Sequence, residues 1–310
     1  MKPKIIVIVG PTAVGKTALS IEIAKKFNGE VISGDSMQVY KKLDIGTAKV
    51  TKEEMNGITH HMIDILEPYE SFSVADFQSR VRKCIEDIHS RGKNVIIAGG
   101  TGLYIQSVLY NYQFSNEARD NQYEQKIIDD INTHGIDYVY GRLQQIDPEQ
   151  AKKIHPNNER RVIRALEVYD RTGVTMTEQS IQSTNSIYDS KIIGLDMERS
   201  VLYNRINKRV DEMIAKGLLN EVQYMVEKDY LDCQSMKGIG YKELIPYVQG
   251  EEKLETSIEL LKRNSRRFAK RQYTWFRNKM NVEWYAITLE TKDKVFQNIL
   301  LDLEGFLRKK

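Results

Sequence analysis

Residues Gly10-Pro11-Thr12-Ala13-Val14-Gly15-Lys16-Thr17 fit the pattern G-x-x-x-x-G-K-[ST]. They follow the apolar run Ile5–Val9 and precede a helical pattern. Strand, loop and helix in that order give the motif its physical meaning. Such a loop wraps backbone N–H groups around a di- or triphosphate, its lysine adds a point charge, and its threonine hydroxyl can ligate Mg²⁺. The motif binds a polyphosphate without naming it.

Two further polar groups follow apolar runs. Asp35-Ser36-Met37-Gln38 comes after Val31–Ser33. Asp35 there could hold Mg²⁺ through water or serve as a general base. It could equally close a turn, because Gly34-Asp35-Ser36 is good turn chemistry. Gly99-Gly100-Thr101-Gly102 comes after Val95–Ala98. Glycines let a backbone approach a ligand, with Thr101 facing it, or they form a tight strand-to-helix turn. The strand before them ends without an acidic residue, which weighs against an ATPase. Adjacent His60 and His61 point different ways on any regular element, so they read as hydrogen-bonding or structural residues rather than paired metal ligands.

These groups need elements to bring them together. Leu19, Ile23 and Phe27 share one face of a helix running from Lys16. Ser73 and Asp76 read as the cap of a second helix, whose stripe is Val74, Phe77, Val81, Cys84/Ile85 and Ile88. Strands separated by helices predict an α/β fold: a P-loop NTPase-like parallel sheet with helices on both faces. Ligands in such sheets bind at the carboxyl ends of the strands, so the three polar groups can converge on one crevice. From about Phe114 to Ile187 the chain turns polar and helical, and it carries Arg160-Arg161-Val162-Ile163-Arg164. This stretch reads as an inserted all-helical subdomain, 114–187, within a core of 1–113 and 188–310. Lys191–Met197 restores a strand, and Leu202, Ile206, Val210 and Met213 mark a helix that Gly217 ends.

Between Leu260 and Val282 no acidic residue occurs, while Lys262, Arg263, Arg266, Arg267, Lys270, Arg271, Arg277 and Lys279 are all basic. Leu261, Phe268 and Trp275 recur every seven residues and are expected to pack inward. A one-sign helix face is an electrostatic footprint for phosphates, and it makes nucleic acid a competitive reading of Arg160, Arg161 and Arg164. The whole chain, at 310 residues and net charge +3, has the composition of a globular protein. Cys84 and Cys233 stand in unrelated contexts, no apolar run has membrane-spanning length, and a cytoplasmic location is expected.

Taken together, GPTAVGKT (10–17), GDSMQVY (34–40), IGTAK (45–49), HHMID (60–64) and AGGTGLY (98–104) resemble, in order, the tRNA dimethylallyltransferase (tRNA isopentenyltransferase) family. The likeness continues through residues 147–169, 205–222, 236–243 and 266–277, nearly the whole chain. It implies transfer of a dimethylallyl group from dimethylallyl diphosphate to N6 of the adenosine just 3′ of the tRNA anticodon, position 37 of the tRNA, with Mg²⁺ assisting at Thr17. Gly10 to Thr17 would hold the diphosphate. Asp35 would be the general base, Arg209 a further cation, and Thr101 a support for diphosphate or amine. Gln38 would hold the adenine edge. Contacts with tRNA are implied for Asp35, Ser36, Met37, Gln38 and Thr101, for Arg160, Arg161, Val162, Ile163 and Arg164, and for Lys237, Gly240, Tyr241, Lys242 and Arg271. The expected partners are the anticodon stem-loop and the isoprenoid donor, with no membrane and a monomeric chain. A P-loop small-molecule kinase is the alternative.

Overall fold

The computed structural model describes residues 2–112, 121–178 and 186–308. They divide into two compact units, 1–109 with 188–310, and 110–187. The expected upstream boundary at 113/114 lies outside the described residues.

The first unit is built on a six-stranded sheet of order β3-β2-β4-β1-β5-β6. Its strands are β1 (Lys4–Val9), β2 (Gly29–Ser33), β3 (His60–His61), β4 (Asn94–Ala98), β5 (Asp189–Asp196) and β6 (Glu283–Ala286). Every pairing is parallel. The central β1 is a β-branched run buried along Ile5–Val9, as a strand covered on both faces must be. Ile6, Ile8, Val31, Ile96, Ile193 and Leu195 share one cluster with Leu19 and Ile23 of α1 (Lys16–Lys26). The alternate positions Ile5, Val7, Ile32, Val95 and Ile97 point to the opposite face and are equally buried.

Helices α2 (Lys52–Met55), α3 (Val74–Ser90) and α4 (Gly102–Leu109) belong to this first half of the chain. The capping box predicted at Ser73 and Asp76 forms, and Phe77, Val81, Ile85 and Ile88 make the buried stripe of α3. The histidines at 60 and 61 are structural: they pair with β2, and His61 Nε2 lies 2.7 Å from Glu30 Oε2.

The second unit holds α5 (Asn121–His134), α6 (Ile136–Ile146), α7 (Pro148–Ala151) and α8 (Glu159–Thr172). Ile127, Val139, Leu143, Ile154, Val162, Ile163 and Leu166 form its core.

The chain returns to the first unit for α9 (Arg199–Ala215), α10 (Leu218–Glu227), α11 (Ile245–Val248), α12 (Leu254–Lys279) and α13 (Lys292–Arg308). The buried stripe of α12 is Ser257, Leu261, Ser265, Ala269, Gln272 and Phe276. This corrects the seven-residue spacing. Leu261 belongs to the stripe, but Phe268 and Trp275 are only half-buried, and Phe268 lines a cavity.

Candidate active site

The phosphate loop leaves β1 at Gly10. Ala13 (φ 64°) and Gly15 (φ 114°) take left-handed backbone, the kind that gathers successive N–H groups into an anion-binding concavity. Helix α1 begins at Lys16 directly behind it. The Lys16 ammonium donates to the Gly10 and Pro11 carbonyls at 3.0 and 2.7 Å. The Thr12 N–H donates to Gln272 Oε1 at 2.8 Å, while the residue itself lines the cavity described below.

The ends of β2 and β4 meet beside this loop. A side chain on Gly99 would put its Cβ 2.3 Å from the Gly34 carbonyl oxygen, so only glycine permits that approach. The contact brings Thr101 against Ser36, whose N–H donates to Thr101 Oγ1 at 3.2 Å. Asp35 Oδ1 accepts from the Met37 N–H at 2.8 Å, so the aspartate does close a turn. It also faces a cavity of about 320 Å³. Thr12, Asp35, Ser36, Thr47, Thr101, Arg209, Lys237, Ser265 and Arg271 supply the polar lining, and Met37, Ala48, Ile206, Val210, Met213, Ile239, Leu261 and Phe268 the apolar lining.

Helix α9 reaches the phosphate loop through two arginines about one turn apart. Arg205 Nε donates to the Ala13 carbonyl at 3.0 Å, and Arg209 Nη1 lies 3.4 Å from Thr12 Oγ1. Burial, and then the Arg209 charge, lower the Lys16 pKa to about 8, with Asp35 acting the other way. Burial also raises the Asp35 carboxyl above its usual range, against the Met37 N–H and the Lys16 charge that hold it down. A carboxylate and two cations therefore sense one another at one corner of the cavity. The carboxylate is the stronger base for its burial.

The predicted residues are not all gathered here. Asp35, Ser36, Met37, Thr101, Lys237, Gly240 and Arg271 line the cavity with Arg209. Gln38 does not. Its Oε1 accepts from Ser33 Oγ at 2.8 Å and its Nε2 donates to the Thr47 carbonyl at 3.2 Å, so its amide is engaged within the protein. In this arrangement the side chain of Gln38 braces the turn after β2 and the 47–48 backbone. Tyr241 is fully buried with its hydroxyl 2.6 Å from Glu221, which makes it a support rather than a contact surface. Lys242 is exposed outside the lining.

In the second unit, Arg160 and Arg161 are exposed on α8, and Arg164 pairs with Glu167 at 2.7 Å. Val162 and Ile163 are 0% and 5% exposed, so their side chains pack in the core of this unit and leave the exposed surface of the segment to Arg160 and Arg161. The sequence reading missed Arg205, Glu221 and Gln272. Only Arg205 carried a local signal, its four-residue spacing from Arg209 on one helix face.

Mg²⁺ takes oxygen ligands and keeps several from water and phosphate. Among the described residues no group of three His, Cys, Asp or Glu could hold a metal. The Thr17 hydroxyl, in the first turn of α1, and Asp35 are oxygens available near the loop. That donor set fits an ion carried mainly by a phosphate ligand. No helix among the described residues is long and apolar enough to cross a membrane.

The likeness to known proteins extends over the whole chain. A tRNA dimethylallyltransferase of Oceanobacillus iheyensis is 58% identical over 311 residues, spanning 100% of this chain and 99% of its own. The crystal structure of a tRNA delta(2)-isopentenylpyrophosphate transferase from Staphylococcus epidermidis is 50% identical, with a TM-score of 0.72 over 100% of both chains. A eukaryotic dimethylallyltransferase, seen crystallographically acting on tRNA, is 32% identical, with a TM-score of 0.84 over 98% of this chain and 79% of its own. The profile of the IPP transferase family matches residues 38–279, and the chain belongs to that family.

Proposed function

We propose that this chain is a tRNA dimethylallyltransferase, which moves the dimethylallyl group of dimethylallyl diphosphate to N6 of the adenosine just 3′ of the anticodon. The observation that carries the reading is a single cavity with Asp35, Thr101 and Arg209 on its polar wall beside the phosphate loop, together with an apolar wall. An allylic diphosphate needs that combination: cations for its head and a dry surface for its tail.

The reaction has two demands. The allylic C–O bond breaks as its electron pair moves onto the diphosphate. The N–H groups of Ala13 to Thr17, with Lys16 and Arg209, stabilise that growing charge. Mg²⁺ held at Thr17 would neutralise further charge on the same phosphates. The second demand is the nucleophile. An N6 lone pair is delocalised into the purine and attacks poorly, so Asp35 accepts its proton as the new C–N bond forms. Thr101, fixed against Ser36, supports the reacting group from the β4 side. N6 is reached only when the base leaves the loop stack, and an anticodon loop gives up that stacking at modest cost. The exposed arginines of α8 and the basic face of α12 supply phosphate contacts to the stem-loop. The enzyme works as a monomer.

Mass analysis of tRNA nucleosides, after incubation of the purified protein with tRNA and dimethylallyl diphosphate, tests the proposal. The expected product is adenosine carrying a five-carbon prenyl unit, formed without ATP. Unchanged nucleosides would overturn it.

A further inference from the structure

The carboxylate of Glu221, in the first turn of α10, accepts four hydrogen bonds from two loops distant in sequence. Oε2 accepts from the Asp44 and Ile45 N–H groups at 2.8 and 2.9 Å. Oε1 accepts from the Gly46 N–H at 3.0 Å and the Tyr241 hydroxyl at 2.6 Å. Consecutive N–H groups pointing at one carboxylate form a strong, charge-assisted clamp.

The two loops interlock where the clamp closes. A Cβ on Gly46 would fall 2.6 Å from the Tyr241 ring, so the ring lies directly on that backbone. Gly238 sits as closely on Met37: a Cβ there would fall 2.7 Å from the Met37 Cε. The far side of the second loop is held as well: the Gly240 N–H donates to Glu243 Oε2 at 2.9 Å, and Asn264 holds Glu243 Oε1 at 2.9 Å. Gly46, Thr47 and Ala48 of the first loop, and Lys237, Gly238 and Gly240 of the second, line the cavity beside Asp35. Glu221 itself does not line it.

We infer that Glu221 is a positioning residue: by clamping the 44–48 loop to the 237–241 loop it fixes the cavity wall that holds the purine beside Asp35. The inference rests on the prenyl-transfer reading for its substrate, and on the hydrogen bonds alone for the clamp. Small displacements of such a wall misalign an attacking atom from its base, and displacements near an ångström cost rate steeply.

Glu221→Gln tests it, since one acceptor oxygen is replaced by a donor facing N–H groups. Amide hydrogen exchange at residues 44–46 is expected to speed up by about tenfold or more, as unsatisfied donors open locally. The value of kcat/KM for an anticodon stem-loop is expected to fall by about tenfold to a hundredfold. The KM for dimethylallyl diphosphate stays at its wild-type value, because the clamp does not touch the phosphate loop. Tyr241→Phe removes one bond of the four and keeps the ring on Gly46, so it reproduces both effects more weakly. It also serves where Glu221→Gln folds poorly. Wild-type exchange rates at 44–46 overturn the inference whatever the activity. So does a fall in rate that disappears once rates are divided by the active-site concentration titrated from the single-turnover amplitude, which reports only a smaller active fraction. A wild-type protein that forms no prenylated tRNA overturns the functional reading instead, and the exchange measurement still decides the clamp.

Discussion

Gln272 and Thr12 are joined across 260 positions of sequence: the Gln272 side-chain oxygen lies 2.8 Å from the Thr12 N–H. The same amide donates through Nε2 to the Gly100 carbonyl at 3.1 Å. One buried side chain of α12 thus ties the phosphate loop to the turn that carries Thr101. Gln272→Leu leaves both backbone groups unpaired, at about 1–3 kcal/mol for each buried group. We expect a lower unfolding midpoint, and a higher KM for the diphosphate donor as the loop loosens. Gln272→Glu keeps the acceptor for Thr12 but sets an oxygen against the Gly100 carbonyl and adds negative charge beside the anion site. Its donor KM is expected to exceed that of the leucine variant. Steady-state kinetics at varied donor concentration checks the order; equal KM values for both variants and wild type would remove Gln272 from the site.

Asp35 closes its own turn through the Met37 N–H, so its removal by alanine would disturb the loop as well as the chemistry. Asp35→Asn separates the two, because an amide oxygen still accepts from Met37. Turnover is expected to fall by about 10²–10⁴-fold, the usual contribution of a positioned general base. Affinity for tRNA stays near the wild-type value. Filter binding and single-turnover kinetics check this, and near-wild-type turnover in Asp35→Asn would end the assignment of Asp35 as base.

Much of this architecture is legible in the sequence, for physical reasons that differ by element. Runs such as Ile5–Val9 announce themselves because a central parallel strand must be apolar on both faces. Ser73 and Asp76 announce α3 because a capping box is chemically specific. The edge strand β6, Glu283–Ala286, is short, and its burial pattern is exposed at both ends, so no hydrophobic signal marks it. The phase of α12 is misread for a related reason. Its buried stripe holds serines, an alanine and a glutamine beside two large apolar residues, while Phe268 turns to the cavity. Asp35, Thr101 and Lys16 are visible because each follows a strand end. Gln38 is visible too, but its partners within the protein, Ser33, Thr47 and Ala48, are connected by no spacing rule. Glu221 and Gln272 act through partners far away in sequence and carry no local mark.

Lys16 gives the donor site a pH dependence. Burial and the neighbouring Arg209 charge lower its pKa to about 8. An anion binds the protonated lysine, so binding is undiminished at pH values below that pKa. It weakens as pH rises through about 8 and the ammonium is lost. The KM for dimethylallyl diphosphate is therefore expected to be flat from neutrality to near pH 8 and to climb above it. Bound diphosphate favours the protonated form, so the break in kcat, which reports the complex, comes at higher pH than the break in kcat/KM. Lys16→Arg, with a guanidinium that stays charged, should abolish the upper break in kcat/KM even where it lowers the rate. A pH profile of both parameters decides the matter, and an upper break that survives in Lys16→Arg assigns it to another group.

Three neighbours on α8 separate electrostatics from packing. Arg160 and Arg161 are exposed, whereas Val162 is 0% exposed within the core of its unit. Arg160→Ala and Arg161→Ala remove charge without removing packing. Each is expected to weaken tRNA binding and to flatten the plot of log affinity against log salt, by about 0.7–0.9 for each phosphate that the variant no longer neutralises. Unfolding midpoints should be unchanged, since exposed positions away from special features tolerate substitution. Val162→Ala does the reverse. It opens a small cavity and lowers stability by about 1–3 kcal/mol, with the salt slope retained wherever the protein is folded. Binding isotherms at several salt concentrations, paired with thermal melts, read both quantities. If the arginine variants bound tRNA with the wild-type slope, Arg160 and Arg161 would be solvated charges on a structural helix, and the phosphate contacts of the stem-loop would have to come from α12 alone.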